Sequence, residues 1–278
     1  MIRAWIAGVG VWGPGMAGWE AARAVLRGEA EVGMPAAPPA PGFLAPNERR
    51  RVGAAVRLAL VVAQEAASMA ERDPADLRSV FATANGDGAL VHAILETLGV
   101  PGRPLSPTQF HNSVHNAAAG YWTIGHRARA PADCLGCHDA SFAAGLLKAA
   151  AEAATEREPV LLCCYDAPLP PPLDAMRAGG AAFAAAVVLS PEPCAGALGR
   201  IELDYADEPD PAWPDAPRAA ALRALHAGNP AARALRLLES LALGAEDRFA
   251  IALLDGAVRV SVAPCPTDAP SAPTESAP

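Results

Sequence analysis

Two cysteines and a histidine stand at Cys134-x-x-Cys137-His138, the spacing of a covalent haem attachment site. Attachment of that kind goes with export and a second axial ligand, and neither an export signal nor a paired ligand accompanies these residues. The same three residues with His111 and His115 would offer zinc ligands, but a second close Cys/His pair at finger spacing is missing. Small thiols packed on a buried strand explain the pattern with less machinery, so no metal or cofactor is expected. Asp139 follows directly, at the head of the Ala-rich run 140–155, where its carboxylate is placed to cap a helix. His111 and His115 lie one turn apart if their segment is helical, and would then hydrogen-bond within it. Cys163 and Cys164 are neighbours on a strand-like run; they must face opposite sides of a sheet, and no chemistry is read from them.

Gly8-x-Gly10-x-x-Gly13 after a strand-like run carries the letters of a dinucleotide fingerprint. That motif needs its third glycine in the first turn of a helix, whose dipole then faces a pyrophosphate. Here Pro14 and Gly15 delay the helix, and Glu29 and Glu31 fall in a loop rather than at a strand end. Nucleotide binding is therefore not expected.

The elements that must position these residues alternate strand and helix, an α/β pattern. Strands are read at 2–7, 79–84, 159–165, 181–189 and 197–206, and helices at 17–27, 47–70, 89–98 and 140–155. Residues 35–46 are a Pro-rich loop, and 207–217 are an acidic, Pro-rich linker. Helices at 219–225 and 230–243 precede a hairpin of 248–254 and 257–263 across Asp255-Gly256. The chain has 278 residues, 52% of them hydrophobic, which allows a large core. A formal charge of -8 argues against nucleic acid or an anionic membrane as partner. No run reaches the ~20 apolar residues that membrane insertion needs. The opening residues read as strand and turn, and the six cysteines as reduced thiols, so the expected location is cytoplasmic.

Three stretches resemble the β-ketoacyl synthases of the thiolase-like fold. IAGVGVWGPG at 6–15 is similar to that family's first strand and turn, which accounts for the glycines. SPTQFHNSVHNAAAG at 106–120 is similar to its dimer-interface stretch. Counting on without gaps, Pro131 meets the family's Gly-Pro turn, and Asp139-Ala140-Ser141 falls on its Cys-Ala-Ser nucleophile triplet. Within the family, SVHNAAAGYW and DASFAAGLL are most similar to the chain-length-factor-type subunits of aryl-polyene biosynthesis.

The resemblance implies a thiolase-like layered α-β-α fold with a shortened C-terminal half. Residues 1–205 would be the N-terminal-like half, 206–263 an abbreviated C-terminal half of the same domain, and 264–278 a disordered tail. Asp139 occupies the nucleophile position, and His226, the one histidine after residue 205, has a context unlike either family histidine motif. A carboxylate is a poor substitute for the thiolate that takes an acyl chain. No catalytic residue is therefore expected, and Asp139 either caps its helix or blocks the pocket with its charge. The implied function is a non-catalytic chain-length factor of polyketide or fatty-acid type. It would pair with a full-length, Cys-containing ketosynthase acting on an acyl carrier protein, and shape the acyl or polyene tunnel. Gln109 and Phe110 are expected to reach the partner's tunnel, with His111, His115 and Asn116 in the interface. Two alternatives stay open: an acyltransferase or condensing enzyme using Cys137, which lies upstream of the helix start, and a metal- or haem-binding protein using Cys134, Cys137 and His138. Whether the isolated chain is a homodimer or awaits a partner is also open.

Overall fold

In β1 (Ile2–Gly13), Ile6, Val9 and Val11 face one hydrophobic cluster, with a register irregularity between Ile6 and Gly8. The computed structural model describes residues 1–176, 180–208 and 210–265. The chain continues through β2 (Met16–Ala17), α1 (Trp19–Leu26), α2 (Pro46–Arg51), α3 (Ala54–Met69), β3 (Arg78–Ala82), α4 (Gly88–Leu98) and α5 (Pro107–Asn112). It then forms α6 (Ala117–His126), β4 (Ala132–Leu135), α7 (Ser141–Glu156), β5 (Val160–Asp166), β6 (Phe183–Ser190) and β7 (Gly199–Ala206). Helices α8 (Arg223–Gly228) and α9 (Leu235–Leu243) lead to β8 (Asp247–Leu253) and β9 (Gly256–Ala263).

The strands make one sheet in the order β4-β3-β5-β6-β1-β7-β9-β8, with β2 paired to the end of β1. β3 is parallel to β4 and β5, and the other pairings are antiparallel. Helices α3 and α6 pack on one face, and α1, α7 and α9 on the other, each with its own buried cluster. This is the layered α-β-α arrangement that the resemblance implied, with two strands, β8 and β9, and short helices after β7.

The glycines of β1 explain how closely the layers approach. A methyl on Gly8 would overlap the carbonyl oxygen of Ala66, and one on Gly10 that of Val62, both on α3. Alanines at 59, 63, 66 and 67 keep the facing surface of α3 low. The glycines serve helix-on-sheet contact, not a nucleotide. Glu65 of α3 holds the end of this contact: its carboxylate accepts the Val11 N–H at 3.0 Å and the Trp19 N–H at 2.5 Å. Burial nevertheless pushes its carboxyl above the usual range.

A second polar joint ties the two halves. Asp166, at the buried end of β5, accepts the Thr83 hydroxyl and the Ala84 N–H at 2.9 Å and the Asn85 N–H at 3.1 Å. The Asn229 side chain donates to the Asp166 and Ala181 carbonyls, each at 2.9 Å, and accepts from Ala231 N–H at 2.9 Å.

Four boundaries differ from the sequence reading. β1 runs on to Gly13, because it pairs with β6 and β7 along its length. The helix expected over 47–70 is broken at Val52 and Gly53, where the backbone is extended. Residues 117–120, for which the sequence reading named no element, form the first turn of α6. The hairpin turns at Leu254-Asp255, since Leu253 pairs with Gly256 and Leu254 takes the positive φ of 54°. The tail expected over 264–278 lies outside the described residues apart from Pro264 and Cys265.

Gly10→Ala is expected to lower stability by about 3 kcal/mol or more, because backbone rather than a flexible side chain must yield. Gly120→Ala, in α6 with open space around the added carbon, is the control. It should be neutral or stabilise by up to about 1 kcal/mol. Urea unfolding of both variants measures the contrast.

Candidate functional site

The turn between β4 and α7 is set by a serine. Ser141 Oγ accepts the Cys137 N–H at 2.9 Å and donates to the His138 carbonyl at 2.7 Å. The Ala140 and Ser141 N–H groups return to the carbonyls of Cys137 and His138. His138 takes a φ of 50°, an unusual conformation for a residue with a side chain. Helix α7 begins at Ser141 with Ala140 as its N-cap, and no side chain caps it. The capping role expected for Asp139 is therefore corrected. Asp139 lies one residue too early, its side chain is 58% exposed, and its carboxylate is 3.5 Å from His138 Nδ1. Its negative charge still lies near the positive end of a helix dipole.

Asp139 opens onto a cavity of about 330 Å³ that Cys137, His138 and Ala140 also line. The C-terminal half supplies the opposite wall: Asp215, Arg233, Ile251, Ala252 and Leu254. Behind the wall, His226 is buried between two charged partners. Its Nε2 is 3.3 Å from Asp215 Oδ1, and its Nδ1 is 3.2 Å from Arg233 Nη1. Arg233 also reaches Asp215 Oδ2 at 3.2 Å. Both ring nitrogens of His226 are thus engaged, and the ring serves as a strut. The sequence reading missed Asp215, His226 and Arg233 as one unit. Asp215 sits in the stretch read as a linker, and the three residues share no periodicity that would link them.

Cys134 and Cys137 do not act together. Cys134 packs on the α3 and α6 side of the sheet, whereas Cys137 packs on the α7 side. Burial and the nearby Asp133 push the Cys134 thiol up to about 11. Among the described residues, no three His, Cys, Asp or Glu side chains are grouped to hold a metal ion. The geometry therefore contradicts a joint Cys134/Cys137/His138 ligand set. Cys163 and Cys164 face opposite sides as expected, and burial pushes both thiols up.

The remaining expected residues spread over a neighbouring surface. α5 ends at Asn112, so His111 and His115 do not share a helix; this corrects the expected one-turn spacing. His111 and Asn116 line a separate, smaller cleft of about 110 Å³ with Val114, Ala117, Gly120, Tyr121 and Ile124. His115 packs instead beside Gly86 and Gly136, next to the Cys137 turn. Gln109 is half-buried in α5, and Phe110 is 64% exposed. Asn112 anchors this segment: its amide donates to the Arg51 carbonyl at 2.8 Å, and its oxygen accepts the Tyr121 hydroxyl at 2.9 Å.

The family model described as beta-ketoacyl synthase, N-terminal domain, matches residues 19–242. Among solved structures, the ketosynthase ApeO in complex with its chain length factor ApeC from Xenorhabdus doucetiae superposes with a TM-score of 0.70 and 19% identity, covering 94% of this chain and 100% of that one. A type II polyketide synthase acyl-carrier protein in complex with its ketosynthase, AntDE:AntF, gives a TM-score of 0.74 and 13% identity, covering 95% and 100%. The ishigamide ketosynthase/chain length factor gives 0.66 and 16%, covering 94% and 99%. At these identities the likeness is one of fold. No curated protein sequence matches significantly.

Thiol alkylation checks the site geometry. At pH 8 iodoacetamide should modify Cys137 in the native protein and leave Cys163 and Cys164 untouched until denaturant is added. Cys134 should react slowly, its rate climbing as pH approaches about 11. Peptide mass spectrometry reads the order.

Proposed function

We propose that this chain, which belongs to the family of the beta-ketoacyl synthase N-terminal domain, is the non-catalytic member of a ketosynthase pair. It joins a Cys-containing 3-oxoacyl-ACP synthase and shapes the tunnel for a growing acyl or polyene chain. One observation carries the reading. At the head of α7, where the family resemblance places a thiolate, the cavity holds the Asp139 carboxylate, and the histidine behind it is spent on Asp215 and Arg233. Formation of an acyl-enzyme needs a nucleophile that attacks the thioester carbon and expels the carrier thiol. A carboxylate attacks weakly, and the mixed anhydride it forms is itself labile.

The surface next to the site supports a partner. Val91, Leu95 and Leu98 recur along α4 at helical spacing and are exposed; Phe110 of α5, Val114 in the turn after it and Ile124 of α6 add exposed apolar area. Contiguous apolar surface of this kind marks an interaction site. β4 ends the sheet order beside it, with its outer edge unpaired among the described residues. An unpaired edge beside an apolar face suits a subunit that continues the sheet. Gln109 shares α5 with the exposed Phe110, and both are taken here as the residues that would reach the partner's tunnel.

A second reading rests on Cys137, whose side chain lines the same cavity as Asp139. In that case its sulfur would take the acyl group from a carrier thioester, with the carrier leaving as the free thiol.

Two experiments separate the readings. Co-expressed with a Cys-containing ketosynthase, the chain should elute as a heterodimer, and alone it should not elongate an acyl-carrier thioester with a malonyl donor. Leu95→Glu with Phe110→Glu should weaken pairing about 100-fold without lowering the melting temperature, the scale of losing interface anchors. Condensation by the purified chain would sink the proposal. Intact-mass measurement after incubation with an acyl donor should show no adduct; an acyl adduct lost in Cys137→Ala would establish the second reading.

A further inference from the structure

The strands that extend the sheet beyond β1 bury only one side. Val258, Val260 and Val262 of β9 enter the core, so Arg259, Ser261 and Ala263 face the other way. Arg248 on β8 stands opposite Ser261, and Arg200 on β7 stands opposite Ala263, which puts the four side chains on one face. Together with Glu202, Pro214, Arg236, Glu246, Asp247 and Val262 they line a cleft of about 540 Å³, larger than the cavity at Asp139.

Charge in this cleft is unevenly satisfied. Asp247 is taken by Arg218 at 2.8 Å, Arg236 at 2.9 Å and the Ser240 hydroxyl at 2.6 Å. Glu202 is taken by Arg3 at 2.8 Å, leaving Arg200 at 3.8 Å from the same oxygen. Arg248 has no ion pair among the described residues, and Glu246 is the one lining carboxylate in the same position. Arg248 is thus the lining guanidinium without an ion pair among the described residues, while Arg200 shares Glu202, which stands opposite Ser261, with Arg3. Arg236 is 5% exposed, and its Nε–H has no acceptor; the Arg200 Nε–H has none either. Arginine forks suit oxyanions, and the small Ala263 opposite Arg200 and Ser261 opposite Arg248 leave room between them.

We propose that this cleft binds a small phosphate-class oxyanion, inorganic phosphate or a phosphate monoester, through Arg200, Arg248 and the Ser261 hydroxyl. Arg236 borders the cleft from the core side of the sheet, held by Asp247 at 2.9 Å and by the Ala216 carbonyl at 3.3 Å. Glu246 on the rim limits the site to groups small enough to avoid it. The proposal does not depend on the role of Asp139.

Thermal unfolding of the full chain tests it, with inorganic phosphate or phenyl phosphate titrated against chloride at equal ionic strength. A saturable rise in melting temperature of about 2 °C or more is expected with phosphate. The rise should disappear in Arg200→Gln with Arg248→Gln, whose melting temperature without phosphate should match the parent. A response to both probes marks a site open to monoesters, and a response to inorganic phosphate alone marks a free-anion site. An equal response to chloride, or a double variant that keeps the full response, would overturn the proposal.

Discussion

The contact between α3 and β1 is the constraint on which the rest of the structure depends. β1 is the strand that joins the two parts of the sheet, pairing with β6 on one side and β7 on the other. Its partner on one face is α3, whose carbonyls at Val62 and Ala66 come close enough to exclude any side chain at Gly10 and Gly8. Close approach lets the many alanines of this chain make dense contact although each buries little area. The opposite face of β1 carries Ile6, Val9 and Val11 into the other cluster, so one strand fixes the spacing of both helical layers.

The cavity at Asp139 follows from that frame. β3, β4 and β5 run parallel and deliver their ends to one side, where the β4–α7 turn and the Asp166 joint meet. Asn229 binds the Asp166 carbonyl from the C-terminal part, and Arg233 and His226 lie close by in sequence. The same joint that locks the two halves therefore brings Asp215, His226 and Arg233 to the cavity wall. The cavity is thus walled by residues from both parts of the chain, with Asp139 at the head of α7.

Much of the fold was legible because hydrophobic periodicity survives in this chain. The strands at β3, β5, β6 and β7 and the helix α7 lie where the alternation and the Ala-rich run put them. The errors have physical causes. The run 47–70 reads as one helix, yet the extended backbone at Val52 and Gly53 splits it into α2 and α3. Asp139 has the right chemistry for a cap, but the Ser141 hydroxyl holds the turn and the helix starts one residue later. The Cys134-x-x-Cys137 spacing says nothing of sheet faces, and the two thiols lie on opposite sides.

By itself the sequence determined what chemistry is available. It placed a carboxylate at residue 139, put glycines at 8 and 10, and offered a family resemblance specific enough to set the fold. Tertiary structure decided which side chains meet. His226 is unremarkable in its own stretch, and becomes part of the site only because strand register and the Asp166–Asn229 joint carry it to Asp215 and Arg233. Arg200 and Arg248 likewise share a cleft because β9 lies between their strands. Periodicity reports which face of an element is buried; it carries no information on which distant element will cover that face.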